Sequence, residues 1–185
     1  VIEGEHLIDE PEDDRNITKI YLNLAAKANE DAIRAIERAD YILLGPGDLY
    51  TTTLANIVVD GIKESIQKSK ARIVCIGNLM SKKWQTRNLT QLGYLEIVEK
   101  YIGRDVDYFL INNGKIPTKA YERYLIKGEH IIADDLSPEE IKGKIIRADL
   151  VATAPVVKDK GDKLARRLVR HDSKKLFREL NKISY

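Results

Sequence analysis

Cysteine and histidine, common ligands of bound metals, are scarce in this sequence. Cys75 is the single cysteine among 185 residues, so an internal disulfide and a cysteine-rich metal site are both excluded. Its neighbours in Arg72–Ile76 are mostly apolar, which predicts a buried strand residue. Of the three histidines, His6 and His130 have no partner at the spacing of metal ligands. The sequence therefore predicts no bound metal.

Long hydrophobic runs are also missing. The longest apolar stretches are far shorter than the roughly 20 residues that a helix needs to cross a bilayer, and no charged and then apolar leader precedes a cleavage site. We therefore expect a cytoplasmic protein without a membrane span. Hydrophobic residues make up 43% of the chain and charged residues 32%, a balance typical of a soluble globular protein. The length suits a single domain, residues 1–185.

The charged residues are unevenly distributed, although the net charge is only +2. Seven of the first fourteen residues are acidic, whereas the segment from Lys160 onward has nine Lys or Arg residues against three acids. A basic end is compatible with nucleic-acid binding, but this one has few interleaved aromatic residues to stack on bases. A solvated helix face is the favoured interpretation, and nucleic acid is not an expected partner.

The apolar pattern predicts a chain that begins with paired strands and then alternates between strands and helices. Residues 6–8 and 17–24 are predicted to pair as an N-terminal β-hairpin around an acidic loop. The later predicted strands are 41–44, 71–76, 107–111, 130–133 and 144–151. The predicted helices are 30–39, 54–68, 90–101, 117–126, a short one from 137 and a final one after 172. Continuous apolar strands between helices favour an α/β fold, a mainly parallel sheet with helices on both faces.

The segment DYILLGPGDLYTTT, residues 40–53, predicts a strand, a tight loop and a helix start in that order. A helix start has unpaired backbone N–H groups and a partial positive charge, so it attracts phosphate or carboxylate groups. The candidate ligand-binding residues are Gly45, Pro46, Gly47, Asp48 and Thr51, since the glycines let a ligand approach the backbone. Asp48 would repel an anion unless it contacts a sugar hydroxyl or a metal. A plain strand-to-helix turn is the alternative.

Two further strand ends have similar loops. Gly77 and Asn78 follow the predicted strand 71–76, and Asn112 begins the Asn-Asn-Gly sequence after strand 107–111. Ligands of parallel sheets bind beyond the carboxyl ends of the strands. We therefore expect the three loops to form one cleft, in which Asn78 and Asn112 bond to a base or a sugar. The alternative is that Asn and Gly only make turns here.

Two polar segments are candidates for phosphate contacts. Residues 78–88 include several basic side chains and form either a flap over phosphates or a solvated connection. Near the end of the chain, Arg170 offers a planar fork suited to a diphosphate. Asp172 or Ser173 can cap a final helix. His171 is predicted to be structural or exposed rather than catalytic.

Several of these stretches, taken in order, resemble the YvcK group of the CofD-like family, the gluconeogenesis factors related to 2-phospho-L-lactate transferase. The stretches are Gly4-Glu5, Ala39-Asp40 with the following GPGDLYTT, Asn56 to Gly61-Ile62, Asn78-Leu79-Met80, Asn112-Asn113, Glu122-Arg123-Tyr124 and Arg170-His171-Asp172. The resemblance implies a Rossmann-like α/β fold over most of the chain. It also implies that Tyr124 contacts the base of a nucleotide-sugar and that Arg170 contacts its diphosphate or sugar.

The chain departs from the family pattern at several positions. Asp48 and Thr52 stand where the family has serine, Ala55 where it has proline, and Gly93-Tyr94 where it has an Asp-His pair. Residues 81–86 replace a stretch that contains a glycine turn and a carboxylate. The GGGTG loop that follows the family's first strand does not occur in these 185 residues. The chain therefore resembles the C-terminal half of a longer CofD-like domain.

The resemblance implies a nucleotide-binding protein, with a UDP-sugar as the expected ligand, that regulates carbon metabolism, cell-wall supply and cell shape. The sequence favours a role without catalysis and leaves the question open. One alternative is a CofD-like transferase that moves a phospholactyl group onto a deazaflavin, and only this alternative requires Mg²⁺. A second alternative is a non-catalytic half-protein that docks on a partner through its basic helix. A homo-oligomer is compatible with each of them.

Overall fold

The structure is a computed structural model of the chain, and it describes residues 1–9, 17–139, 141–153 and 169–184. The helices are α1 (Glu5–Asp9), α2 (Glu30–Arg38), α3 (Ala55–Ile57), α4 (Ile62–Lys68), α5 (Gln91–Ile102), α6 (Thr118–Leu125) and α7 (Ser173–Ser184). The strands are β1 (Tyr41–Leu44), β2 (Arg72–Ile76), β3 (Tyr108–Asn112) and β4 (Lys144–Ala148). A turn of π-helix, Leu49–Leu54, precedes α3. No helix within these ranges is long and apolar enough to cross a membrane.

The four strands form one parallel sheet in the order β1-β2-β3-β4. One row of residues crosses the whole sheet, with Leu44 opposite Cys75, Cys75 opposite Phe109, and Phe109 opposite Ile145. Parallel neighbours need crossover connections, which the segments between the strands provide. The predicted Rossmann-like α/β fold is therefore confirmed.

Apolar layers cover both faces of the sheet. On one face, the β2 residues Ile73 and Cys75 pack with Phe109 of β3 against α3, α4 and α5. On the other face, Val74 and Leu110 pack against α7, which contributes Leu176, Leu180 and Ile183. Burial on both faces explains why these strands are continuously apolar rather than alternating. A third cluster, at the carboxyl end of the sheet, consists of Leu79, Ile116, Tyr124, Val151 and Val169.

The predicted N-terminal β-hairpin is wrong. Residues 6–8 belong to α1, where the Ile8 N–H donates to the Gly4 carbonyl. Residues 17–24 form no strand. Ile17 and Ile20 instead pack on the core, and the Ile20 N–H and carbonyl both bond to the Tyr101 hydroxyl. The partial alternation therefore reflects an extended segment that lies against α5, anchored by side chains rather than by a neighbouring strand.

The helix predicted for residues 54–68 is interrupted. Gly61 separates α3 from α4 with a φ of +94°, a left-handed conformation that favours glycine. Its N–H donates to Glu64 Oε2 over 3.1 Å and so begins a new helix. The four-residue apolar spacing continues across the break, so the pattern alone does not reveal it.

Two smaller predictions at residues 130–139 are also wrong. The predicted strand 130–133 is reduced to a single bridge between Ile131 and Met80, and residues 138–139 make a turn instead of a helix. Arg147 of β4 bonds to the Asp134 side chain and to the Leu136 carbonyl. Side-chain contacts, and not hydrogen bonds between strands, therefore hold this segment in place. Residues 10–16, which include most of the predicted acidic loop, and residues 160–168, the first part of the predicted basic stretch, lie outside the described residues.

Candidate functional site

Three loops lie at the carboxyl ends of β1, β2 and β3. We name them L1 (residues 45–48), L2 (residues 77–80) and L3 (residues 112–114). The Asn78 amide of L2 donates to the Gly47 carbonyl of L1 over 2.8 Å. At the base of L2, the Gly77 N–H donates to the Leu110 carbonyl of β3, also over 2.8 Å. The structure therefore joins the first two loops at the edge where ligands of parallel sheets bind.

L1 has little room for side chains at its two glycines. Gly45 has a φ of +78°, and a Cβ there would lie 3.1 Å from the Ile76 carbonyl oxygen. A Cβ on Gly47 would lie 2.9 Å from Thr52 Cγ2. Pro46, between them, follows a cis peptide bond. The backbone conformation of L1 and its close approach to L2 therefore depend on glycine.

Most backbone N–H groups near Thr51 already have partners. The Asp48 carbonyl accepts from the N–H groups of Thr52 and Thr53, both over 3.0 Å, as in any helical turn. The Tyr50 N–H donates to the Gln85 side chain over 3.0 Å. The anion site predicted from a helix start would therefore depend on side-chain donors and on the remaining N–H groups of L1.

Lys82 balances the negative charge of Asp48. Lys82 Nζ lies 2.6 Å from Asp48 Oδ2, and the Lys82 side chain is only 12% exposed. A carboxylate that makes an ion pair with a partly buried lysine repels an anion less than a free one. Asp48 therefore repels an anion bound in L1 less than an unpaired carboxylate would.

A carboxylate from α1 occupies the side-chain donors around L1. Asp9 Oδ1 accepts from Thr51 Oγ1 over 3.0 Å and from Gln85 Nε2 over 2.6 Å. It also contacts Lys82 Nζ. These three donors converge on one oxygen atom and together form a small anion site, which the protein fills with its own carboxylate.

Residues 81–86, within the polar segment 78–88, pack against the protein and are not a solvated connection. Among them, Ser81, Gln85 and Thr86 are buried. The cationic groups of Lys83 and Arg87 lie over the Trp84 ring, at 4.0 Å and 5.4 Å from its centre. The sequence alone did not show this packing, because it depends on contacts with L1 and α1, which are distant in the chain.

Asn112 has a structural role in this site. Its Oδ1 accepts from the N–H groups of Gly114 and Leu150 over 3.1 Å and 2.9 Å, and its Nδ2 donates to the Gly114 carbonyl over 2.8 Å. These bonds tie the end of β3 to the residues after β4. The Asn112 amide is therefore largely committed to the backbone.

Tyr124 and Arg170 lie in one neighbourhood, although 46 positions separate them in the chain. The Tyr124 ring is buried, with 5% of its surface exposed, and its hydroxyl accepts from the Val169 N–H over 3.2 Å. Val169 precedes Arg170, which is exposed and whose carbonyl accepts from the Ala152 N–H. Tyr124 thus holds the short segment that presents the Arg170 side chain.

Four buried side-chain atoms in the described part of the chain lack a hydrogen bond of good geometry, although the Tyr94 hydroxyl interacts with Thr53, and all lie near L1 and L2. They are Thr53 Oγ1, Gln91 Oε1, Tyr94 Oη and His171 Nε2. Tyr94 Oη would be 3.7 Å from a Cβ on Gly45, and Gln91 Oε1 would be 2.4 Å from a Cβ on Gly77. Unpaired buried polar groups are rare in proteins, and their concentration here is typical of a ligand or water site.

Electrostatics keep two of these groups neutral. Burial lowers the pKa of His171 from 6.5 to about 4, while a hydrogen bond to the Gly77 backbone acts in the opposite direction. Burial raises the pKa of the Tyr94 phenol, which therefore stays protonated. Within the described ranges, no group of three or more His, Cys, Asp or Glu side chains is placed to hold a metal ion.

Sequence reasoning missed Gln91 and Tyr94 as members of this site, and it named Lys82 and Gln85 only as part of the polar segment 78–88. Gln91 and Tyr94 are three positions apart in the first turn of α5 and both face the strand-end loops. A polar residue and an aromatic residue at this spacing, in the first turn of the helix that follows the polar segment 78–88, were the available signal. The contacts of Lys82 and Gln85 had no local signal, because their partners lie in α1 and L1.

Comparison with known proteins places the chain first in a fold class and then in a family. Two crystal structures of a Bacillus halodurans protein, described as a member of the UPF0052 family, match the fold with TM-scores of 0.83 and 0.82. They are 25% identical in sequence, and the match covers 97% of this chain and 55% of that one. The family model described as 2-phospho-L-lactate transferase CofD matches residues 1–151. The chain belongs to the CofD family, as the resemblance predicts.

Curated relatives of the chain are named "Putative gluconeogenesis factor". The relative from Thermotoga maritima is 32% identical over 91% of this chain and 51% of its own length. The relative from Clostridium acetobutylicum is 30% identical over 99% of this chain and 42% of its own length. The chain therefore spans about half the length of the curated relatives it matches.

Proposed function

We propose that this chain forms one side of a nucleotide-sugar site and acts in the cytoplasm as a binding component in the control of carbon metabolism and cell-wall supply. The observation that carries the proposal is the joining of L1 to L2 at the carboxyl edge of the sheet, through the bond from Asn78 to Gly47. The names of the curated relatives support the link to carbon metabolism. The UDP-sugar is the ligand class that the family resemblance favours.

The proposed contacts divide between the two ends of the site. L1, with Gly45, Gly47 and Thr51, receives phosphate oxygens, and Lys82 offsets the charge of Asp48 beside them. Arg170 is exposed, and the N–H of its neighbour Val169 donates to the Tyr124 hydroxyl. We assign the diphosphate or the sugar to Arg170. We assign the base to the vicinity of Tyr124.

A CofD-like transferase is the second candidate, because the matching family model is described by that activity. A transferase must turn over its nucleoside-diphosphate substrate with Mg²⁺, whereas a regulator only binds. The two candidates are therefore separated by a turnover assay with Mg²⁺ and a deazaflavin acceptor. Product formation above background would favour the transferase over the regulator.

The binding proposal is tested by titrating UDP-N-acetylglucosamine into the isotope-labelled chain and following amide shifts by NMR, which detects weak binding. We expect shifts at Gly45, Gly47 and Asn78. Arg170→Ala is expected to weaken binding about tenfold or more, since a charge-assisted bond is worth roughly 1.5–3 kcal/mol. Arg178→Ala, which changes an exposed arginine of α7, is the matched control and leaves binding unchanged. Equal affinities for both variants would contradict the assignment of Arg170.

A further inference from the structure

The first turn of α5 is bonded to L2 through the side chain of Gln91. Gln91 is buried, with 4% of its surface exposed, and its Nε2 donates to the Asn78 carbonyl over 3.0 Å. Its backbone N–H donates to the Ala133 carbonyl over 2.9 Å, which fixes the start of the helix from a second direction. Gln91 therefore connects a packed helix to the backbone of a strand-end loop.

Asn78 extends this connection to L1. Its carbonyl accepts the bond from Gln91, and its side-chain amide donates to the Gly47 carbonyl over 2.8 Å. Three residues, from α5, L2 and L1, are thus linked by two consecutive hydrogen bonds. Because the conformation of L1 depends on glycine, which restricts its own backbone least, the position of L1 is sensitive to such a contact.

Tyr94 places a second polar group of α5 beside L1. It lies three positions after Gln91, on the same side of the helix, and it is fully buried. Its hydroxyl would be 3.7 Å from a Cβ on Gly45, and it interacts with Thr53. Both loops therefore lie against the first turn of α5.

The stability of α5 does not explain a buried amide at position 91. Gln91 Oε1 makes no hydrogen bond of good geometry, and an unpaired buried acceptor is destabilising. An apolar side chain of similar length would avoid this penalty, but it could not donate to the Asn78 carbonyl. The donor function of Gln91 is therefore the property that distinguishes it from an ordinary core residue.

We propose that Gln91 is a positioning residue of the nucleotide-sugar site, which through Asn78 holds the L1 backbone in the arrangement that receives phosphate. The inference rests on the proposed function. Gln91 is buried and does not touch the ligand, so it acts on the ligand only through L2 and L1. It should therefore matter for a ligand with phosphates and not for a nucleoside, since the base is assigned to the vicinity of Tyr124.

Gln91→Met tests the proposal, because methionine has a similar length and no N–H donor. In NMR titrations we expect UDP-N-acetylglucosamine to bind about three- to tenfold more weakly, and uridine, which has no phosphate, to bind within about twofold of the parent chain. Gln67→Met is the matched control, since Gln67 Nε2 makes the same kind of bond, to the Gly103 carbonyl over 3.1 Å, at the other end of α5. It should change neither affinity.

Spectra recorded without nucleotide test the link to L1 separately. Gln91→Met should shift the amide signal of Gly47, and in an Asn78→Ala background it should no longer do so. In the parent chain, the side-chain amide signals of Gln91 should move together with the Gly47 signal as UDP-N-acetylglucosamine is added. This last reading does not require any variant to fold.

An unshifted Gly47 signal in Gln91→Met would overturn the proposal, as would equal losses of affinity for UDP-N-acetylglucosamine and uridine. A parent chain whose signals do not respond to UDP-N-acetylglucosamine would contradict the proposed function instead. In that case the nucleotide-free spectra would still decide whether Gln91 positions L1.

Discussion

His171 makes the stability of this protein depend on pH. Burial holds its pKa at about 4 in the folded chain, against 6.5 for an ordinary histidine. Between these two values the unfolded chain binds a proton that the folded chain does not, so stability falls as the pH falls from 6.5 towards 4. The expected loss is at most about 3 kcal/mol, and below pH 4 the contribution is constant. Urea unfolding at a series of pH values measures it.

His171→Gln is the control for this pH dependence, because carboxylates also titrate in the lower part of the range. The variant keeps an amide beside Gly77 and removes the titrating ring. Above pH 5, the free energy of unfolding should depend on pH less steeply in the variant than in the parent protein. The difference between the two slopes gives the contribution of the imidazole. Identical slopes would show that His171 is not held neutral by burial.

A substitution at Gly47 tests whether L1 binds the ligand. Gly47→Val places a side chain against Thr52, where even a Cβ would lie 2.9 Å from Cγ2. We expect nucleotide affinity to fall at least tenfold while unfolding stays cooperative, since the added atoms face the loop and not the core. Gly61→Ala is a matched control, because it strains a left-handed glycine by about 1 kcal/mol away from L1. Unchanged affinity in calorimetry for Gly47→Val would place the site elsewhere.

At the scale of elements, the hydroxyl of Tyr124 connects α6 to the segment 169–172. Tyr124→Phe removes the acceptor of the buried Val169 N–H, which should cost about 1–3 kcal/mol of unfolding free energy. Tyr121→Phe, in the same helix but only partly buried, is the control and should change stability little. If Tyr124→Phe is as stable as the parent protein, the bond does not hold this segment.

The contact between α1 and L1 predicts a gain of affinity. Asp9 supplies a carboxylate to Thr51, Gln85 and Lys82, so it competes with any external anion for these donors. Asp9→Asn removes the charge, and we expect binding of UDP-N-acetylglucosamine to tighten about three- to tenfold. Asp31→Asn, at an exposed residue that pairs with Arg34, should not change it. Weaker binding by Asp9→Asn would show that α1 supports the ligand instead of competing with it.

At the scale of the whole molecule, we expect the isolated chain to bind UDP-sugars poorly. In the proposed site its loops would contact only one side of a nucleotide, and the matched relatives contain about as much chain again. Losing two charge-assisted contacts, at roughly 1.5–3 kcal/mol each, weakens binding by about two to four orders of magnitude. Titration of UDP-N-acetylglucosamine into the chain, alone and mixed with the uncovered part of the Thermotoga maritima relative, measures the difference. Tight binding by the chain alone would refute the prediction.

The regular part of the fold could be predicted from the sequence because its signals are local. The strands β1, β2 and β3 appear as short apolar runs, and the glycine after each of β1 and β2 marks the strand end. The break at Gly61 was missed, since apolar spacing continues through it. The hairpin was predicted wrongly because Ile17 and Ile20 alternate only in part, and they are partly buried against the core and not by a strand.

The sequence by itself determined the α/β class, the three strand-end loops and the family, since burial on both faces of a sheet and glycine turns leave a pattern within a few residues. Only the tertiary structure decided which polar groups meet in the site. Gln85 bonds to Asp9 across 76 positions, and Tyr124 to Val169 across 45. It also decided that Asn112 bonds to the backbone. Such contacts depend on how the elements pack, and a local pattern reports only whether a residue is buried and not which distant group it contacts.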